Sequence, residues 1–119
     1  MSDLQCPARF ILLTTLDGAT ADVLRHERLA AVYDAPPGAA ATGLAAALGI
    51  PATALVRPLA LEAVLVRESL AVETLSELAD VHRGETVLVV AEGRPGRRVE
   101  VAIDGDGVAV EEVSPGSVR

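Results

Sequence analysis

At 119 residues the chain fits one domain able to bury a real core. Half of it is hydrophobic, supplied almost wholly by Ala, Val and Leu, with Phe10 and Tyr33 as the only aromatics. Seventeen acidic residues face ten basic ones, all of them Arg, for a net charge of −7. That surface repels phosphate backbones, and no basic stripe interleaved with aromatics offsets it, so nucleic-acid binding is excluded as an expectation. The all-Arg, Ala-rich bias fits a GC-rich bacterial coding sequence. Cys6 has no partner within the chain, which points to a reducing compartment. Asp3 stands where a signal peptide needs positive charge, and no apolar run reaches membrane-spanning length. A cytoplasmic protein without a membrane anchor is expected.

In chain order, Arg9-Phe-Ile-Leu-Leu-Thr14 is a continuous apolar run, the pattern of a strand covered on both faces. Asp17-Gly18 breaks it, and a short helix is expected from Thr20 to Arg28. Leu29-Ala-Ala-Val-Tyr33 predicts a second strand, closed by Asp34-Ala-Pro-Pro-Gly38. Ala39 to Leu48 is helix-favouring, with Gly49 as its C-terminal stop and Pro51 preventing resumption. Ala54–Val56 is a candidate third strand. Apolar residues at helical spacing between Leu59 and His82 predict one or two helices ending before Gly84. Thr86–Ala91 is the clearest strand. Arg98–Ile103 and Val108–Val113 alternate around Asp106-Gly107, a two-residue hairpin signal. The tail Ser114–Arg119 is expected to fray, leaving one domain with a core of about residues 8–113.

Strands alternating with helices imply an α/β fold of three layers, α/β/α. Its sheet should be mainly parallel, with a C-terminal antiparallel hairpin at one edge. In such sheets the ligand crevice lies beyond the carboxyl ends of the central strands. Here those ends are Thr14-Thr15-Leu16 and Ala91-Glu92-Gly93.

The order and spacing of three stretches resemble the histidine phosphatase (phosphoglycerate mutase-like) superfamily over about Ala8 to Gly93. Ala8-Arg-Phe-Ile-Leu-Leu13 is similar to its opening strand. Leu29-Ala-Ala-Val-Tyr-Asp-Ala-Pro-Pro37, with the Ala-rich helix and Leu48-Gly-Ile50, is similar to its second strand, turn and following helix. His82-Arg-Gly-Glu-Thr-Val-Leu-Val-Val-Ala91 is similar to its last core strand and the loop before it. The resemblance implies a His nucleophile in an Arg-His-Gly turn, an Arg after the second strand and a second His after the last core strand. Such a cationic pocket holds phosphate and takes the phosphoryl group on imidazole. Carried across, the tripeptide falls on Thr14, Thr15 and Leu16, the Arg near Ala39, the second His on Glu92 and the acidic proton donor near Glu62. Every cationic or nucleophilic position is replaced, and Glu92 reverses the sign. The segment between Glu62 and Glu92 is also short for that family.

The expected function is therefore a catalytically inactive histidine-phosphatase-like domain, a pseudophosphatase with a binding, regulatory or assembly role. It needs no cofactor or metal, engages an unidentified protein partner and forms a homodimer. Two alternatives stand beside it: a hydrolase of different chemistry using Glu92 and Glu62 with Thr14 or Thr15, and small-anion binding through Arg94, Arg97 and Arg98. A convergence of Asp34, Glu62 and Glu92 for acid–base work is a weaker variant. Arg25-His26-Glu27 reads as a surface helix triplet and His82 as a solvated loop residue. Asp104-Gly-Asp-Gly107 reads as a hairpin turn, because the further oxygens of a calcium loop are missing.

Overall fold

The computed structural model describes residues 7–16, 24, 26–35, 38–55, 57–104 and 107–113. Strands β1 (Ala8–Leu13) and β2 (Leu29–Asp34) precede helix α1 (Ala39–Leu48) and strand β3 (Ala52–Ala54). Helices α2 (Leu61–Leu65) and α3 (Ser69–Val81) lead to β4 (Thr86–Val90), β5 (Arg98–Asp104) and β6 (Gly107–Val113). One six-stranded sheet has the order β3-β2-β4-β1-β5-β6. The first four strands are mutually parallel, β5 runs antiparallel to β1, and β6 antiparallel to β5. The expected α/β class, parallel core and C-terminal hairpin are thus all present.

The apolar run of β1 has the central place its composition predicts, because only a strand paired on both edges and covered on both faces can bury successive side chains from Phe10 to Leu13. Phe10, Ile11 and Leu12 are wholly buried. Successive side chains leave a strand on opposite faces, and β1 accordingly feeds two separate cores. Phe10 and Leu12 join Val87, Val89, Val99 and Val101 beneath Leu61 and Val64 of α2 and Leu75 of α3. Ile11 and Leu13 join Val32, Leu88 and Leu24 beneath Ala41, Leu44 and Ala45 of α1. The two clusters are built of small aliphatic side chains, as the near-absence of aromatics requires.

Three expectations shift in detail, and a fourth, of one or two helices between Leu59 and His82, is met by two. Strand β3 lies at Ala52–Ala54, not Ala54–Val56. Pairing fixes its register: the Val32 amide donates to the Pro51 carbonyl at 3.0 Å, and the Leu55 amide to the Asp34 carbonyl at 3.0 Å. The helical pattern between Leu59 and His82 resolves into two helices, divided where Arg67 takes the left-handed region at φ 57. Asp104 pairs with Gly107 across the hairpin, so Gly107 belongs to β6 rather than to the turn that the Asp106-Gly107 signal predicts; residues 105 and 106 lie outside the described residues. Of the helix expected over Thr20–Arg28, Leu24 is helical and wholly buried, and the Glu27 amide returns to its carbonyl at 2.9 Å. His26 is exposed and in a turn, not in a helix; residues 17–23 and 25 lie outside the described residues. So do Cys6, the Pro36-Pro37 pair, Val56 and the Ser114–Arg119 tail.

Gly49 ends α1 as expected. Its φ of 71 lies in the left-handed region, its amide reaches back to the last turn, and the Ile50 amide donates to the Ala45 carbonyl at 3.0 Å. A Cβ at Gly49 would meet nothing within 4 Å. Gly49→Ala is therefore expected to destabilise through backbone conformation alone, by about 1 kcal/mol, readable as a fall in thermal midpoint without change of fold.

Candidate functional site

Strands β1 and β4 are neighbours and end together, so what lies beyond their carboxyl ends, where a crevice is expected, is set by the segments that leave them. The Ala91 amide donates to the Leu13 carbonyl at 2.8 Å, which carries the pairing one residue past the strands. Glu92 then pairs with the segment before α2: its amide donates to the Leu59 carbonyl at 2.8 Å, and its carbonyl accepts from the Leu61 amide at 2.8 Å. This bridge seats the start of α2 over the end of β4. The Glu92 side chain is exposed.

The loop Gly93–Arg97 crosses back over the end of β1 and is held there by both threonines. The Thr14 hydroxyl donates to the Arg94 carbonyl at 2.5 Å and accepts from the Arg97 amide at 3.0 Å. The Thr15 hydroxyl accepts from the Gly96 amide at 2.8 Å. Glycine at position 93 allows the crossing: an added Cβ would come within 3.2 Å of Thr14 Cγ2 and 3.4 Å of Leu61 Cβ. Hydroxyls at Thr14 and Thr15 thus serve as local fasteners between strand end and loop.

The charges sort themselves around this loop. The Arg97 guanidinium, about one-fifth exposed, reaches Glu62 on α2 through Nη1 and Glu112 on β6 through Nε at 2.7 Å. Hydrogen bonds to Glu112 and then Glu62 hold its pKa above the ordinary guanidinium value. Arg98 turns to its own strand neighbour, donating to Glu100 from Nη2 at 2.7 Å and Nε at 3.1 Å. Arg94 is exposed. Of the anion-binding trio, then, Arg97 and Arg98 each face carboxylates of the chain itself.

The other sequence candidates disperse. Leu16 is half-buried against the α1-side core. Ala39 is exposed at the start of α1. The Asp34 carboxylate accepts from the amides of Ala35 at 2.8 Å and Gly38 at 3.1 Å, which closes the turn into α1. Asp34 is therefore engaged at α1 and Glu62 at Arg97, while Glu92 faces outward. The Asp104 carboxylate accepts from the Gly107 amide at 3.1 Å, as a hairpin turn requires. Among the described residues, no three His, Cys, Asp or Glu side chains are grouped to hold a metal ion, and no helix is long and apolar enough to cross a membrane.

His82 corrects its expectation as a solvated residue. Its side chain is 11% exposed, and both ring nitrogens are engaged. Nδ1 lies 2.7 Å from the Glu85 carboxylate and Nε2 lies 2.7 Å from the Tyr33 hydroxyl. An ionised carboxylate only accepts, so the ring proton belongs on Nδ1 and the Nε2 lone pair accepts the tyrosine proton. The rings of Tyr33 and His82 meet edge to face at 5.6 Å. Burial first, and the Glu85 charge second, raise the Tyr33 pKa above its ordinary 10.0. The available signal was the His82–Glu85 spacing after a helix, together with the one tyrosine of the chain on an adjacent strand.

No family model matches the chain. No curated protein matches it either.

Proposed function

We infer that the domain is a degenerate, catalytically inactive member of the histidine phosphatase (phosphoglycerate mutase-like) superfamily, with three α/β/α layers and a binding, regulatory or assembly role. One observation carries this reading: beyond the ends of β1 and β4, the hydroxyls of Thr14 and Thr15 hold the Gly93–Arg97 loop, and the side chain at position 92 is a carboxylate. The reaction of that superfamily needs imidazole and guanidinium groups at these positions to grip and accept a phosphoryl group. Arg97, at the end of that loop, is shared by Glu62 and Glu112, so its charge is answered within the chain. Self-association as a homodimer, and docking of a protein partner, belong to the same reading.

The purified chain is expected to turn over p-nitrophenyl phosphate no faster than buffer. Turnover that disappears in both Thr15→Ala and His26→Ala would overturn the inactive reading, because it would locate a phosphatase at or beside the crevice.

A further inference from the structure

We propose that the free edge of β3 and the groove between it and α3 form a docking site for an extended, basic peptide segment, bound by strand addition. This surface is separate from the crevice, and the proposal stands whether or not the crevice is inactive.

The sheet has two outer strands, and they differ. Strand β6 carries Glu111 and Glu112, and charged side chains are a common guard against edge pairing. Strand β3 is Ala52-Thr53-Ala54, exposed and without charge. Its hydrogen bonds to β2 use the Pro51 carbonyl and the Leu55 amide. Backbone groups alternate sides along a strand, so the N–H and C=O of Ala52 and Ala54 point away from the sheet. Among the described residues nothing pairs with them.

So short a ladder gives only a few main-chain bonds, and a second source of affinity lies beside it. Small β3 side chains leave a groove of about 270 Å³ between the strand and α3. Tyr33, Leu55, Leu70 and Leu78 give it an apolar lining, and Leu70 keeps 44% of its surface exposed. Glu73 and Glu77 also line it, against Arg57 as the one cation among the described residues of its lining. The groove is therefore net acidic, on a protein of charge −7.

Spacing then selects the occupant. Glu73 and Glu77 are four residues apart on one face of α3, about 6 Å along its axis. Alternate side chains of an extended strand recur every ~6.6 Å on one face. Helix α3 returns the chain to the start of β4, parallel to β3, so it lies roughly along the strand direction. A segment with Arg or Lys at two alternate positions, and an apolar residue at the next, matches both carboxylates and the apolar lining while its backbone bonds to Ala52 and Ala54. Main-chain bonding at an edge with alternate side chains read by pockets is an established mode of peptide recognition.

The test is fluorescence anisotropy of the full chain with a labelled peptide Leu-Thr-Arg-Thr-Arg. Saturable binding is expected. Glu73→Lys with Glu77→Lys should weaken it about tenfold or more. Ala54→Pro, which removes an outward donor without touching the β2 ladder, and backbone N-methylation of the peptide should each do the same. Circular dichroism verifies that the variants stay folded. Absent binding, equal binding of Leu-Thr-Glu-Thr-Glu, or indifference to both Ala54→Pro and N-methylation would overturn the proposal. So would a self-association of the chain that Ala54→Pro abolishes, since the occupant would then be a second copy.

Discussion

Phe10→Ala lowers the unfolding free energy by about 3–5 kcal/mol, the range for truncating a buried aromatic. Phe10 is the only phenylalanine of the chain and is wholly buried. It stands in β1 between β4 and β5, opposite Val87 on one side and Val101 on the other. Its neighbours are short aliphatic residues held by the sheet and by α2 and α3. None of them can extend into the vacated volume, so the cavity persists and its penalty adds to the lost burial. A domain of this size has about 5–15 kcal/mol in total, so the variant forfeits a large share of it. Urea unfolding followed by circular dichroism reads the effect. A loss below 1 kcal/mol would mean that the core relaxes around this position and that the description of β1 is wrong.

The Tyr33–His82–Glu85 chain carries the second large effect. Tyr33→Phe leaves the His82 Nε2 without its donor in a half-buried site, which costs about 1–3 kcal/mol. His82→Leu removes the acceptor and strands the hydroxyl instead. Because each change breaks the same bond, the double variant should lose less than the sum of the singles, by about 0.5–3 kcal/mol. Strict additivity would show that the contact contributes nothing. The same site has a pH signature. The folded-state pKa of Tyr33 lies above its ordinary 10.0, so on raising the pH the unfolded chain releases this proton first. The associated stability is complete below pH 10.0 and is lost as the pH rises towards the folded-state value. Tyr33→Phe should flatten that alkaline decline. With one tyrosine and no tryptophan in the chain, phenolate absorbance reports this group alone.

Much of this arrangement is legible in the residues. A continuous apolar run at Phe10–Leu13 and another at Val87–Val89 demand two covered faces, which only central strands of a helix-covered sheet supply. Gly49 and the alternation of Val99, Val101 and Ile103 fix a helix end and a half-buried strand by local chemistry. What the sequence hides is set by pairing over long separations. The register of β3 follows from its bonds to Val32 and Asp34, not from any preference of Ala for strand. The division between α2 and α3 falls at Arg67, where no glycine signals it.

The candidate site divides in the same way. Position places Thr14, Thr15 and Glu92 at the strand ends, because the strands themselves are readable. The role of the two hydroxyls depends on where the Gly93–Arg97 loop comes to rest, and the fate of Arg97 on carboxylates 35 and 15 residues distant. The partnership of Tyr33 and His82 spans 49 residues. Side chains recruited over such separations leave no local pattern to read.

The ends of β1 and β4 are expected to offer no grip to a phosphoryl group, and amide chemical shifts of the folded chain titrated with inorganic phosphate read this. The amides of Thr14, Thr15, Glu92 and Arg97 are expected to stay in place up to high millimolar phosphate, apart from shifts shared with a chloride control. Saturable, phosphate-specific movement of those four together would overturn the inactive reading, since it would reveal an anion site where a carboxylate and two engaged hydroxyls stand.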